Sequence, residues 1–127
     1  VISVNNALAT TLTLAGPDLT NHNLGWPSTG IQITALQNVT LQSFNFANYG
    51  ASDTIELTDT NGLVLYSTSY AGGGDTNQLI TTDWAMTAGT TYNLLSLERS
   101  NSMWQDYSNF PQANAQIQVN GGFSYNP

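Results

Sequence analysis

The chain has no cysteine and no lysine, and Arg99 is the only strong cation in its 127 residues. Without cysteine there is no disulfide framework, no thiol nucleophile and no thiolate metal site. A formal net charge of -7 repels phosphate backbones and anionic lipid, so nucleic acid is not an expected partner. One histidine, His22, is too few for a dedicated zinc site, and no EF-hand loop is present. No apolar run approaches the roughly 18 residues a membrane helix needs, and no basic leader-like segment opens the chain, so membrane insertion is not expected. Val1 in first position suits a processed or excised chain.

What is there is apolar and polar rather than charged. Hydrophobic residues make up 40% of the chain and charged residues 7%, so solubility rests on Thr, Ser, Asn and Gln. The length fits one domain, residues 1–127, large enough for a real core but too small for a core plus an extensive second module.

Two-residue alternation dominates. "LATTLTL" places Leu8, Thr10, Leu12 and Leu14 on one side of an extended chain. "GPD" at 16–18 reads as a turn, and the Asn-, Gly- and Pro-rich stretch from Asp18 to Gly30 reads as a long loop. "GIQITAL" and "VTLQSFNFANYG" resume the strand pattern, but Phe44 and Phe46 are out of phase with Val39 and Leu41. A bulge or bend near Gln42 would restore one inward face.

"DTIELTDTNGLVLYSTSY" is the strongest hairpin signal. Ile55 and Leu57 are expected to face inward, Asn61-Gly62 to make the tight connection, and Leu63 and Leu65 to fill the return strand. "AGGGD" marks another break, and a further strand is expected from Asn77 to Thr81. "TAGTTYNLLSLER" supplies a glycine turn and a strand from Thr91 to Arg99, with Trp84 packing at a strand edge beside that turn. In "AQIQVNGGFSY", Ala115, Ile117 and Val119 are in phase. No long amphipathic helix can be drawn. The expected fold is all-β, an antiparallel two-sheet β-sandwich, jelly-roll-like, with eight or nine short strands.

The alternation "SFNFANYG...DTIELTD.NGLVLYS...W.MTAGTTYNLL", roughly Phe44 to Leu95, resembles extracellular bacterial β-sandwich domains, both carbohydrate-binding-module-like and surface-protein domains. The resemblance lies in turns and inward hydrophobics and carries over no ligand residues. It implies an exported, extracellular protein and an expectation of glycan binding. Function on such a scaffold still belongs to its particular loops.

Three Trp and six Tyr give a small polar domain the means to stack on sugars. A ring covers the C–H face of a pyranose while amides, carboxylates and guanidinium meet its hydroxyls. The best local group is in "LERSNSMWQDYSNFP": Trp104 and Tyr107 as stacking surface, Asp106 and Asn109 directing hydroxyls, and Arg99 orienting a polar or acidic group. Trp26 and His22, beside Asn23 in the first long loop, form a second group. The competing structural reading has Trp104 and Phe110 covering a sandwich end, Met103 filling a core gap, and Arg99 paired with Glu98 or Asp106.

The acids make no convincing catalytic pair. Asp53 and Asp59 bracket a strand and stand about 20 Å apart at about 3.3 Å per residue, against roughly 5 to 10 Å in glycosidases. Glu56 alternates away from Ile55 and Leu57 toward solvent. No G-x-S-x-G elbow accompanies His22, and "AGGGD" lacks the Gly-Lys-Ser/Thr of a phosphate loop. Oxygen-rich loops at Asp18, Asn21 and Asn23, or at Asp75 and Asn77, leave room for structural calcium, with no cofactor required. Asn38 heads a formal glycosylation triplet, "NVT", read as chance in strand-like surroundings. The leading expectation is a secreted, noncatalytic domain binding a polysaccharide or glycan. The alternative is a structural or adhesive surface domain, homo-oligomeric as a filament subunit or part of a multidomain parent.

Overall fold

The computed structural model describes residues 2–5, 10–12, 28–49, 52–71, 75–97 and 111–125, and all regular structure among them is β. The strands are β1 (Ile2–Asn5), β2 (Thr10–Leu12), β3 (Ser28–Ala35), β4 (Val39–Tyr49), β5 (Asp53–Thr58), β6 (Val64–Tyr70), β7 (Asp75–Met86), β8 (Thr91–Ser96), β9 (Gln112–Ala113) and β10 (Ile117–Tyr125). They form two antiparallel sheets, ordered β2-β1-β4-β7 and β6-β5-β8-β3-β10-β9.

Alternation explains the packing. Ile31, Ile33 and Ala35 of β3, Ile55 and Leu57 of β5, Tyr92 and Leu94 of β8, and Ile117 and Val119 of β10 turn one face of the six-stranded sheet inward. Ile2, Val39, Leu41, Phe44, Ile80, Trp84 and Met86 answer from the four-stranded sheet, and the two sets form one core. Each fully buried large side chain in it contributes about 1.5–3 kcal/mol.

The phase slip in β4 is a bulge. Leu41 and Phe44 are both buried, and the pairing of β4 with β7 shifts between Leu41 and Ser43. The extra residue there lies in β7, where Leu41 faces Trp84 but Ser43 faces Thr81. On the other side of β4, Ser3 faces Ser43 while Val4 faces Leu41, so Gln42 is the extra residue against β1. Thr82 Oγ1 donates to the Leu41 carbonyl at 2.6 Å and pins the irregular step.

The hairpin differs from expectation. Asn61-Gly62 does not form a two-residue connection. Asp59 Oδ1 accepts the Asn61 and Leu63 N–H groups at 2.8 and 2.9 Å, and the Asp59 carbonyl accepts Gly62 N–H at 3.2 Å. Asp59 N–H closes the loop on the Leu63 carbonyl at 3.0 Å. Gly62 alone takes positive φ, +90°, as in a type I turn followed by a left-handed residue. A bulge follows, with Leu57 facing Tyr66 and Thr58 facing Val64. The longer loop and the bulge reverse the expected faces of the return strand. Tyr66 and Tyr70 pack against the core, while Leu63 is 63% exposed and Leu65 is also exposed.

Other boundaries also moved. β3 begins at Ser28, inside the stretch to Gly30 expected to be a loop. The strand expected from Asn77 to Thr81 is the middle of the longer β7, which places Asp75 and Asn77 in a strand rather than a cation-holding loop. The strand from Thr91 stops at Ser96. Ala115 is exposed in a bend before β10, whereas Ile117 and Val119 are buried as expected. Asn38 lies in an exposed bend rather than a strand, and its Oδ1 accepts the Ala88 N–H at 2.9 Å. β1 and β9 are additional short strands.

Candidate functional site

A groove of about 600 Å³ opens at one end of the six-stranded sheet. It is lined by Ser52, Asp53 and Thr54 at the start of β5, Ser69, Tyr70 and Ala71 at the end of β6, and Leu97 just after β8. Antiparallel pairing assembles it: Asp53 faces Tyr70, Thr54 faces Ser69, and Ile55 faces Ser96.

Asp53 forms its floor. The residue is 7% exposed; its Oδ2 accepts the Ser96 hydroxyl and its Oδ1 accepts the Leu97 N–H at 3.1 Å. That N–H is shared with the Thr54 carbonyl, also at 3.1 Å. A buried carboxylate satisfied by fixed donors is a structural anchor more than a proton carrier. What it anchors is the departure of the chain at Leu97, the first residue of the aromatic-rich segment singled out by sequence. Tyr70 is half-buried, packs against the core and lines the groove together with Ser52, Thr54 and Ser69.

A second polar surface crosses the outer face of β10, β3 and β8. Asn120 is the extra residue of a bulge in β10, and its amide donates to Gln32 Oε1 at 3.2 Å and Thr34 Oγ1 at 2.9 Å. Gln118 donates to Asn120 Oδ1 at 2.9 Å, Gln32 donates to Asn93 Oδ1 at 3.4 Å, and Thr34 and Thr91 share a hydroxyl bond at 2.8 Å. These groups spend much of their capacity on one another, which stiffens the sheet and leaves fewer directions for a ligand.

Arg99, Trp104, Asp106, Tyr107 and Asn109 lie outside the described residues, as do His22 and Trp26 and the Asp18, Asn21 and Asn23 loop. Trp84 is a packing residue, as expected, but it lies in the core rather than at a strand edge: it is 7% exposed, 6.2 Å from Phe44 and 5.8 Å from Tyr66 between ring centroids. Asp53 opens β5 and Asp59 directly follows its last residue, Thr58, so the two acids bracket the strand. Sequence reasoning missed Tyr70 and the groove, because its walls come from three separate strand ends. The alternation that places Tyr70 inward follows only from the loop length at Asp59.

Among the described residues, no group of three or more His, Asp or Glu is arranged to hold a metal ion, and no helix is long and apolar enough to cross a membrane. The fold and groove define a two-sheet antiparallel β protein with a cleft at one end lined by hydroxyl residues, Tyr70 and the buried carboxylate of Asp53. No protein-family model, curated protein or solved structure matches the chain.

Proposed function

We propose that this chain is a secreted, noncatalytic carbohydrate-binding domain that recognises a glycan reversibly at the Tyr70 groove. The observation that carries the reading is the meeting of an aromatic ring, three hydroxyl residues and an anchored carboxylate where the segment beginning at Leu97 departs. Tyr70 would supply stacking, and Ser52, Thr54 and Ser69 would meet sugar hydroxyls. Trp104, Tyr107, Asp106, Asn109 and Arg99 belong to the segment tethered there and would complete the rim, with Trp26 and His22 as an outlying second group. The scaffold we infer is jelly-roll-like. Its neighbours β6-β5-β8-β3 in one sheet and β4-β7 in the other require the chain to cross repeatedly between sheets. A glycan array followed by alanine replacement at Tyr70 and at Trp104 tests the reading. Binding lost in both folded variants supports it, and binding unchanged in both rejects the site.

A second reading, a structural or adhesive subunit, is favoured by one observation. β6 is the edge strand of its sheet among the described residues, carries no charge, and leaves Leu63, Val64 and Leu65 exposed at its turn end. Such an edge lacks the charges and prolines that usually block strand addition. Size-exclusion chromatography and electron microscopy separate the readings. Ordered fibres weakened by Leu65→Lys support assembly, and a persistent monomer rejects it.

A further inference from the structure

We infer that Asn61 is a site of spontaneous deamidation, built into the tip of the β5–β6 hairpin and absent from the chain's other Asn-Gly pair. The reaction needs the backbone nitrogen after the asparagine to reach its side-chain carbonyl carbon. A following glycine leaves that approach unobstructed. Asn61 and Gly62 are both exposed, and even a Cβ placed on Gly62 would meet nothing within 4 Å. Among the described residues, Gly62 N–H is held only by the Asp59 carbonyl at 3.2 Å, at the long end of the hydrogen-bond range, so a small opening of the turn frees it.

The step balances without an oxidant or reductant. Gly62 N bonds to Asn61 Cγ and gives up its proton, the Cγ–Nδ2 bond breaks, and ammonia leaves a five-membered succinimide. Water then opens either carbonyl. One product has an acid side chain at position 61, and the other carries the main chain through Cγ as an isoaspartyl linkage. Both add a negative charge beside Asp59, whose Oδ1 already gathers the Asn61 and Leu63 N–H groups. The isoaspartyl form also adds a carbon to the main chain inside that ring of bonds. The change therefore charges and loosens the end of β6 where Leu63, Val64 and Leu65 are exposed.

Asn120-Gly121 has the same two residues but a different setting. Asn120 Nδ2 donates to both Gln32 and Thr34, and its Oδ1 accepts from Gln118, so three bonds restrain the amide from turning to meet the Gly121 nitrogen. Structure, rather than sequence, distinguishes the two pairs.

The test is peptide mass mapping of the full chain during incubation at mildly alkaline pH, folded and in urea, with Asn61→Gln as control. The expected result is amide loss and isoaspartate at Asn61 in the folded protein while Asn120 stays intact, with both reacting once the chain is unfolded. The early product disappears in Asn61→Gln. Asn61 remaining intact in the folded protein while reacting in urea would overturn the proposal. So would equal or faster loss at Asn120 in the folded state.

Discussion

Tyr66, on the edge strand of the six-stranded sheet, lies flat against Trp84 on β7 of the opposite sheet, with ring centroids 5.8 Å apart and planes 9° from parallel. Phe44 tilts against the same indole at 43°, with ring centroids 6.2 Å apart. These contacts join β6 of one sheet to β7 of the other and make Trp84 part of the core rather than a sugar platform.

Replacing Trp84 by alanine is predicted to cost about 3–5 kcal/mol, as for other buried Trp or Phe truncations. A double-mutant cycle with Tyr66→Ala should return about 0.5–1.5 kcal/mol of coupling. Urea unfolding of the four proteins measures both. Additive losses would mean that the stack does not join the sheets.

The hairpin loop makes a contrasting prediction. Leu63→Thr and Leu65→Thr should each change stability by less than about 0.5 kcal/mol, as exposed substitutions do, whereas Leu57→Ala should cost about 2–5 kcal/mol. Gly62→Ala forces a left-handed backbone on a residue with a Cβ and should cost about 1–2 kcal/mol. Thermal unfolding checks all four. A large loss at Leu63 or Leu65 would restore the inward-facing hairpin expected from sequence.

Asp53→Ala should cost about 1–3 kcal/mol by stranding the Ser96 hydroxyl and part of the Leu97 N–H bonding. Asp53→Asn keeps one acceptor oxygen and should lose less. Amide exchange at Leu97 should quicken in both variants, because the Asp53 bond is one of the two holding that N–H. Exchange unchanged in Asp53→Ala would show that the Thr54 carbonyl alone anchors the segment.

At the β4 irregularity, Thr82→Val removes the bond to the Leu41 carbonyl and should cost about 1 kcal/mol. Gly30→Ala should be far worse, since its Cβ would overlap the Leu94 backbone carbonyl, which cannot swing aside as a side chain can. Equilibrium unfolding of the two variants ranks them. Equal stability would mean that the β3–β8 pairing yields at Gly30.

Alternation alone disclosed the β character, the inward residues Ile55 and Leu57 of β5 and Ile117 and Val119 of β10, and the slip near Gln42. Each depends on spacing within one strand. The faces of β6 were not legible because they depend on a loop length, and that length is chosen by Asp59 bonding two backbone N–H groups. β1 and β9 have four and two residues, too short for a local signal, and exist through their partners β4 and β10. The groove was hidden for a related reason: Asp53, Tyr70 and Leu97 meet only through long-range pairing. The aromatic segment was found by composition, and the fold adds the point at which it is tethered.

Titration of a glycan-array hit into the full chain and into Tyr70→Ala tests the central proposal most directly. The account predicts saturable binding by the full chain and at least a tenfold loss in the folded variant, about 1.4 kcal/mol. Full affinity in Tyr70→Ala, or no glycan bound by the full chain, would contradict it.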